Sequence, residues 1–159
     1  MTGHVLRALE PRDLPRAKRM WFELLQCGEA ADPRFKPAAN AIEGIEAYAR
    51  DVWVRQRPFP HGLVAEANGE LIAFILGTPT HPVPVLERAQ TAVITDIWVS
   101  PDWRGSGLGR ELVAYFVKTV RAAGYPVVEV NTLWADERAV AFWRSLGFGD
   151  WMVRLSRED

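Results

Sequence analysis

Apolar residues recur in this chain first at alternate positions and then at three- and four-residue steps, and each change of period marks a predicted element boundary. Residues 4–9, HVLRAL, alternate weakly and stop at Pro11, which predicts a first strand. A helix follows, with Asp13 placed to cap it, Pro15 at an early helical position, and Ala17, Met20, Trp21, Leu24 and Leu25 on one face. The stretch GEAADPRFKPAAN breaks that pattern, and a second helix over about residues 41–55 shows Ile42, Ile45, Tyr48, Ala49 and Val52 on one side. HGLVAEANGELIAFILG reads as a hairpin turning at Asn68-Gly69. A proline-rich connector, TPTHPVPVLERAQ, precedes the longest apolar run, TAVITDIWV over 91–99, which reads as a central strand. Leu108, Leu112, Phe116 and Val120 then fall at four-residue steps, and Gly124 and Pro126 end that helix. VVEVN is a short buried strand, DERAVAFWRSLG a helix capped by Asp136 and ended by Gly147, and GDWMVRLS a closing strand. The predicted order is β-α-α-β-β-β-α-β-α-β, an α/β (α+β) fold with a mixed, mainly antiparallel sheet and helices on both faces. No repeat or linker divides it, so residues 1–159 read as a single domain.

Composition narrows the function classes. A net charge of −1 with scattered Lys and Arg gives no footprint for a nucleic-acid backbone. No window is apolar for long enough to span a bilayer and the start lacks a signal pattern, so the expectation is a cytoplasmic protein without a membrane partner. The single Cys27 has no cysteine or histidine at ligand spacing, so no metal site is expected and the residue reads as a small hydrophobe.

Chemistry concentrates in TDIWVSPDWRGSGLGRELVAYF. Gly105, Gly107 and Gly109 let several N–H groups converge where a helix begins, and such a start binds anions because its first amides are unpaired and the dipole there is positive. Arg104 adds a planar cation suited to phosphate. Neither nucleotide signature fits: the third glycine of a dinucleotide turn would fall at Arg110, and the Lys-Ser/Thr of a P-loop is absent. A purely structural turn is the alternative reading.

Arg104, Gly107 and Gly109 match the (Gln/Arg)-x-x-Gly-x-(Gly/Ala) signature of the GNAT superfamily of acyl-CoA-dependent N-acyltransferases. ITDIWVSPDWRGSGLGRELV resembles that family's cofactor strand, turn and helix, and RAVAFWRSLGF is similar to its following helix. The likeness is specific over about residues 91–149 and weak over 10–60, where such proteins differ by substrate. It implies that the amides of Gly105, Ser106, Gly107, Leu108 and Gly109, with Arg104 and Arg110 beside them, hold the coenzyme A pyrophosphate. It also implies that β-strand backbone at Ile97, Trp98 and Val99 pairs with the pantetheine arm where that strand parts from its neighbour, an edge pairing that is physically reasonable. Phe142 would pack near the arm or thioester, with plain core as the competing reading.

The implied reaction is direct transfer of an acetyl group from acetyl-CoA to a primary amine of a small molecule or peptide. An alkylammonium, with a pKa of about 10.4, has no lone pair until a base removes a proton. Strand alternation places Asp96 on one face with Ile94 and Trp98, where desolvation should raise its pKa and suit it to that task. A turn cap or arginine partner is the competing role, and His61, His81 and Glu66 are reserve bases. A strand N–H could polarise the thioester carbonyl. Two departures bear on the mechanism: Trp143 stands where many members carry a tyrosine that protonates the thiolate, and Asp136 where asparagine is commoner. They leave room for a non-catalytic acyl-CoA sensor, or for an interaction module whose turn is only structural. The acceptor site would lie between the early helices, the connector and the last strands, with Phe35, Tyr48, Trp53, Phe59, His81 and Trp134 as candidate walls and Asp32, Glu43 and Glu46 as candidate cation attractors. The sequence allows a homodimer without requiring one.

Overall fold

The computed structural model describes residues 3–81, 85, 87 and 89–157. Its sheet has five strands in spatial order β1-β2-β3-β4-β5: Val5–Ala8, Gly62–Ala67, Glu70–Thr80, Thr91–Val99 and Val127–Val130. The first four run antiparallel to their neighbours, and β5 pairs parallel with β4. The β2–β3 turn has Asn68 at φ 52° and Gly69 at φ 78°, the left-handed pair that an Asn-Gly hairpin requires.

Each face of the sheet carries two helices. On one, α1 (Leu14–Ala31) and α2 (Ala41–Tyr48) cover Val64, Phe74, Leu76 and Trp98. On the other, α3 (Leu108–Ala122) and α4 (Glu137–Ser145) bury Leu108, Leu112, Phe116 and Trp143 against Leu63, Ile75, Ala92 and Ile94. Phe74 and Ile75, adjacent on β3, therefore belong to opposite cores, as the strand period demands.

Local structure departs from the sequence reading in four places. Helix α1 continues through Gly28 to Ala31, where the break at GEAADPRFKPAAN had been expected to end it. Asp13 occupies the N-cap position of α1 but makes no capping bond; its carboxylate instead accepts two bonds from Arg7, at 2.6 and 2.8 Å, and the Glu10 amide at 2.8 Å. A guanidinium outcompetes the helix amides because its bonds are charge-assisted and bidentate. The second helix does not stay α-helical to residue 55: after Tyr48 it widens into a π-turn over Ala49–Trp53.

The fourth departure is the closing strand. Residues 149–157 form no strand, and Trp151, Met152, Val153 and Leu155 are exposed. Alternation there is real, but a strand exists only by pairing, and among the described residues β5 takes no neighbour beyond β4. The observed order is thus β-α-α-β-β-β-α-β-α. Much of the proline-rich connector, at 82–84, 86 and 88, lies outside the described residues. No helix among the described residues is long and apolar enough to cross a membrane.

Candidate active site

Strand β4 organises the site through two irregularities. Asp96 pairs with Leu76 while Ile94 pairs with Gly77, so Thr95 is an unopposed bulge residue. One extra residue inverts the alternation of everything after it. Ile94 thus belongs to the α3/α4 core and Trp98 to the α1/α2 core. This corrects the expectation that Ile94, Asp96 and Trp98 share a face: Asp96 goes with Trp98 only. The second irregularity is the parting from β5, whose register runs from Thr91↔Val127 to Ile94↔Val130 and ends with an Asn131 amide bond of 3.4 Å to the Ile94 carbonyl. Residues 95–99 have no β5 partner, leaving that edge open.

On the α1/α2 side, β4 floors a pocket of about 280 Å³. Asp96 and Thr95 meet Trp21 and Leu25 of α1, Phe35 of the following loop, and Ile45, Tyr48 and Trp53 of α2 and its π-turn. Burial pushes the Asp96 carboxyl above its ordinary range, against hydrogen bonds from Thr95 and Trp21 that pull it down. The sequence had singled out Phe35, Tyr48 and Trp53 as walls, and all three line this pocket. Phe59 does not: it is fully buried against Tyr125 and Phe116. Nor do His81 and Trp134, which are exposed, the latter under the Arg144 guanidinium.

Across the strand, a groove of about 390 Å³ is bounded by Ile97 and Val99, Trp103 and Arg104, the glycines of the turn, Arg110 and Phe142. Gly105 and Gly107 have φ of 75° and 92°, a left-handed geometry that side chains resist, and Gly107 opens α3 with no side-chain cap. Ser106 braces the turn instead, donating to the Trp103 carbonyl at 2.7 Å and accepting the Leu108 amide at 3.3 Å. Arg104 is held by a 3.0 Å bond from Nε to the Val99 carbonyl and lies 4.3 Å from the Trp98 ring centroid. Arg110 reaches the Ser145 carbonyl at 3.5 Å and its hydroxyl at 3.3 Å, tying α3 to α4 near Phe142. Two cations and the free amides of a helix start at one end, with Ile97, Val99 and Phe142 along the wall, suit a ligand that is anionic at one end and apolar along its arm.

Of the predicted cofactor set, Ile97, Val99, Arg104, Gly105, Gly107, Gly109, Arg110 and Phe142 line the groove, whereas Trp98, Ser106 and Leu108 do not. Leu108 and Trp98 face the two cores; the Leu108 amide is taken by Ser106, the Trp98 backbone is paired with Phe74 of β3, and the buried Trp98 Nε1 has no hydrogen-bond partner among the described residues. Trp103 was missed because a tryptophan in a turn carries no periodic signal. The reserve bases are occupied or remote. His61 is buried with Nδ1 3.0 Å from the Gly77 carbonyl, Glu66 is bonded by Arg7, and His81 lies outside the pocket. Trp143 is buried against Phe142 and Phe148, so its indole faces core rather than the groove. Asp136 does cap α4, accepting the Ala139 amide at 3.0 Å. No cluster of metal-ligating side chains occurs among the described residues.

The profile described as Acetyltransferase (GNAT) family matches residues 21–148. An uncharacterised N-acetyltransferase of Methanocaldococcus jannaschii is 28% identical over 96 residues, 60% of this chain and 42% of that protein. A mycothiol acetyltransferase of Thermobispora bispora is 27% identical over 151 residues, 95% of this chain and 48% of that protein. The chain spans less than half the length of both. Among solved structures, the aminoglycoside N-acetyltransferase AAC(6')-Iy in complex with CoA superposes with a TM-score of 0.75 at 16% identity, over 99% of this chain and 96% of that one, a likeness of fold. The profile match begins at Trp21 in the aromatic pocket and ends at Phe148 beyond α4, taking in the bulged strand, its open edge and the glycine turn, and on that match the chain belongs to the acetyltransferase (GNAT) family.

Proposed function

We propose that the protein transfers an acetyl group directly from acetyl-CoA to a primary amine. The observation that carries this reading is the placement of Asp96 and Ile97 in separate cavities that share one strand as their wall. Acetyl-CoA supplies the activated acyl group. The chain's own residues hold and deprotonate: the turn amides and Arg104 bind the pyrophosphate, and open β4 backbone near Ile97 and Val99 pairs with the pantetheine amides. Phe142 packs on the arm. Asp96 takes the proton from the acceptor ammonium, and its raised affinity for a proton brings it closer to that work than an ordinary carboxylate. A strand N–H polarises the thioester carbonyl.

Trp143 favours a second reading. With indole in place of the family's phenol, and buried in the core, this residue cannot protonate a leaving thiolate. A domain that binds acyl-CoA without turning it over would tolerate that loss. A coenzyme A thiolate is a good enough leaving group to depart unprotonated, so transfer remains our reading. Release of free thiol from acetyl-CoA across a panel of amines, set beside the thermal shift caused by acetyl-CoA, separates the two. Thiol release above the hydrolytic background supports transfer, whereas a shift without release on any amine supports the sensor.

A further inference from the structure

The aromatic pocket carries information about the acceptor that family membership does not. Its walls offer four rings, Trp21, Phe35, Tyr48 and Trp53, and one titratable acid, Asp96. Trp21 and Trp53 meet edge to face with centroids 6.0 Å apart, which fixes both rings, while Phe35 and Tyr48 are about half exposed at 44% and 50% and form the rim. Phe35 is seated on bare backbone: a Cβ at Gly28 would stand 2.5 Å from its Cδ1, so Gly28 makes the seat. The remaining acids of these elements are spent or turned away. Glu46 is bonded by Lys18 and lies 3.3 Å from Arg50, and Asp32 is held by Arg34 at 2.6 Å, which brings its carboxyl down to about 2. Glu43 and Asp51 are exposed, and neither they nor Glu23 and Glu29 of α1 take part in the lining.

We propose that the acceptor is an amine with a single positive charge and one aromatic ring or similar apolar body, its nitrogen at Asp96 and its body between the rings. The proposal rests on the transfer reading above. A second ammonium entering this pocket would lose water without gaining a carboxylate, and a buried unpaired charge is strongly unfavourable. An apolar body instead gains burial against four rings and faces no unpaired charge. The volume of about 280 Å³ lies at the low end for small-molecule sites, enough for one ring and a short linker. Polyamines and aminoglycosides are thereby disfavoured.

The test compares kcat/KM, read as thiol release from acetyl-CoA by the whole protein, for 2-phenylethylamine, propylamine, spermidine and an aminoglycoside. Expected is a preference of about tenfold or more for 2-phenylethylamine over each of the others. Turnover of spermidine or the aminoglycoside as fast as 2-phenylethylamine would overturn the proposal. The exposed Tyr48, changed in Tyr48→Ala, should shrink the ratio of 2-phenylethylamine to propylamine at least about fivefold, and an unchanged ratio counts against the pocket. If no amine releases thiol, the transfer reading is what has failed. The class of ligand is then decided by calorimetry of 2-phenylethylamine against spermidine on protein saturated with coenzyme A, where tighter binding of spermidine, or binding of neither, sinks the proposal.

Discussion

Asp96 and Ile97 are adjacent on β4, yet the carboxylate lines the aromatic pocket and the isoleucine lines the glycine-turn groove. Ordinary alternation sends neighbours to opposite faces; the bulge at Thr95 decides which neighbour goes to which. Without it Asp96 would join Ile94 and Ala92 against α3, in an apolar core.

The first prediction concerns Asp96→Asn. If the carboxylate is the base, turnover should fall by roughly 10²–10⁴-fold. Stability should move the other way. A carboxyl whose folded pKa is raised contributes most below its unfolded pKa, and that contribution is lost as pH rises through the folded value. The variant should therefore melt at a higher temperature than the parent at pH 7.5, with the gain disappearing near pH 3.5. Melting curves at the two pH values check this, and full activity in the variant would remove Asp96 from the mechanism.

Arg7 gives the opposite sign. It bonds both Asp13 and Glu66 and fastens the first turn of α1 to β1 and β2. Burial alone would raise the Asp13 carboxyl, but the Arg7 guanidinium and Glu10 amide hold it below its ordinary range. Its contribution is thus present above the unfolded pKa and lost as pH falls through the lower, folded one. Asp13→Ala removes two charge-assisted bonds and leaves Glu66 as the carboxylate partner of Arg7, which should cost on the order of 2 kcal/mol in urea unfolding at neutral pH, and less at pH 2.

His61 extends the pH dependence into the neutral range. Burial lowers its pKa, against a bond to the Gly77 carbonyl, so the folded protein prefers the neutral ring. Stability from this residue is complete above about pH 6.5 and declines as pH falls through the folded value. His61→Asn should flatten the fall in melting temperature between pH 6.5 and 5. An identical slope in parent and variant would show that acid sensitivity arises elsewhere.

In the turn, Gly107→Ala isolates backbone strain, because its φ is 92° while an added Cβ would meet nothing within 4 Å. The cost should be about 1–2 kcal/mol, with a smaller thermal shift from coenzyme A as the amides move out of place. Gly109→Ala is the control: its Cβ would make only an ordinary 3.5 Å contact with Phe142, so stability should change little.

Elements whose signal is local were legible in the sequence. The Asn68-Gly69 hairpin, α3 with its four-residue apolar step and the Asp136 cap all stand as expected. The glycine turn and Arg104 were legible too, since left-handed backbone leaves glycines as its trace. What failed were features set by a neighbour. A bulge at Thr95 depends on register with β3, the tail at 149–157 needed a partner strand, and Asp13 was claimed by an arginine six residues earlier. Three of the four aromatic walls were legible: Phe35, Tyr48 and Trp53 could be suspected from composition, whereas Trp21 sits on the apolar face of α1 and looks like any core residue.

The π-turn after α2 explains how Tyr48 and Trp53 come to share a wall. An α-helix brings residues three or four apart to one side, and five apart they diverge; a turn closed i→i+5 restores them. The widening amounts to one residue inserted into a finished helix. Removing one residue from 49–52 should relax it to ordinary α geometry with the tyrosine and the tryptophan four apart, still on one side of the helix. The aromatic wall can therefore outlast the loss of a single codon here, which would change how the helix closes and not the side its two rings face.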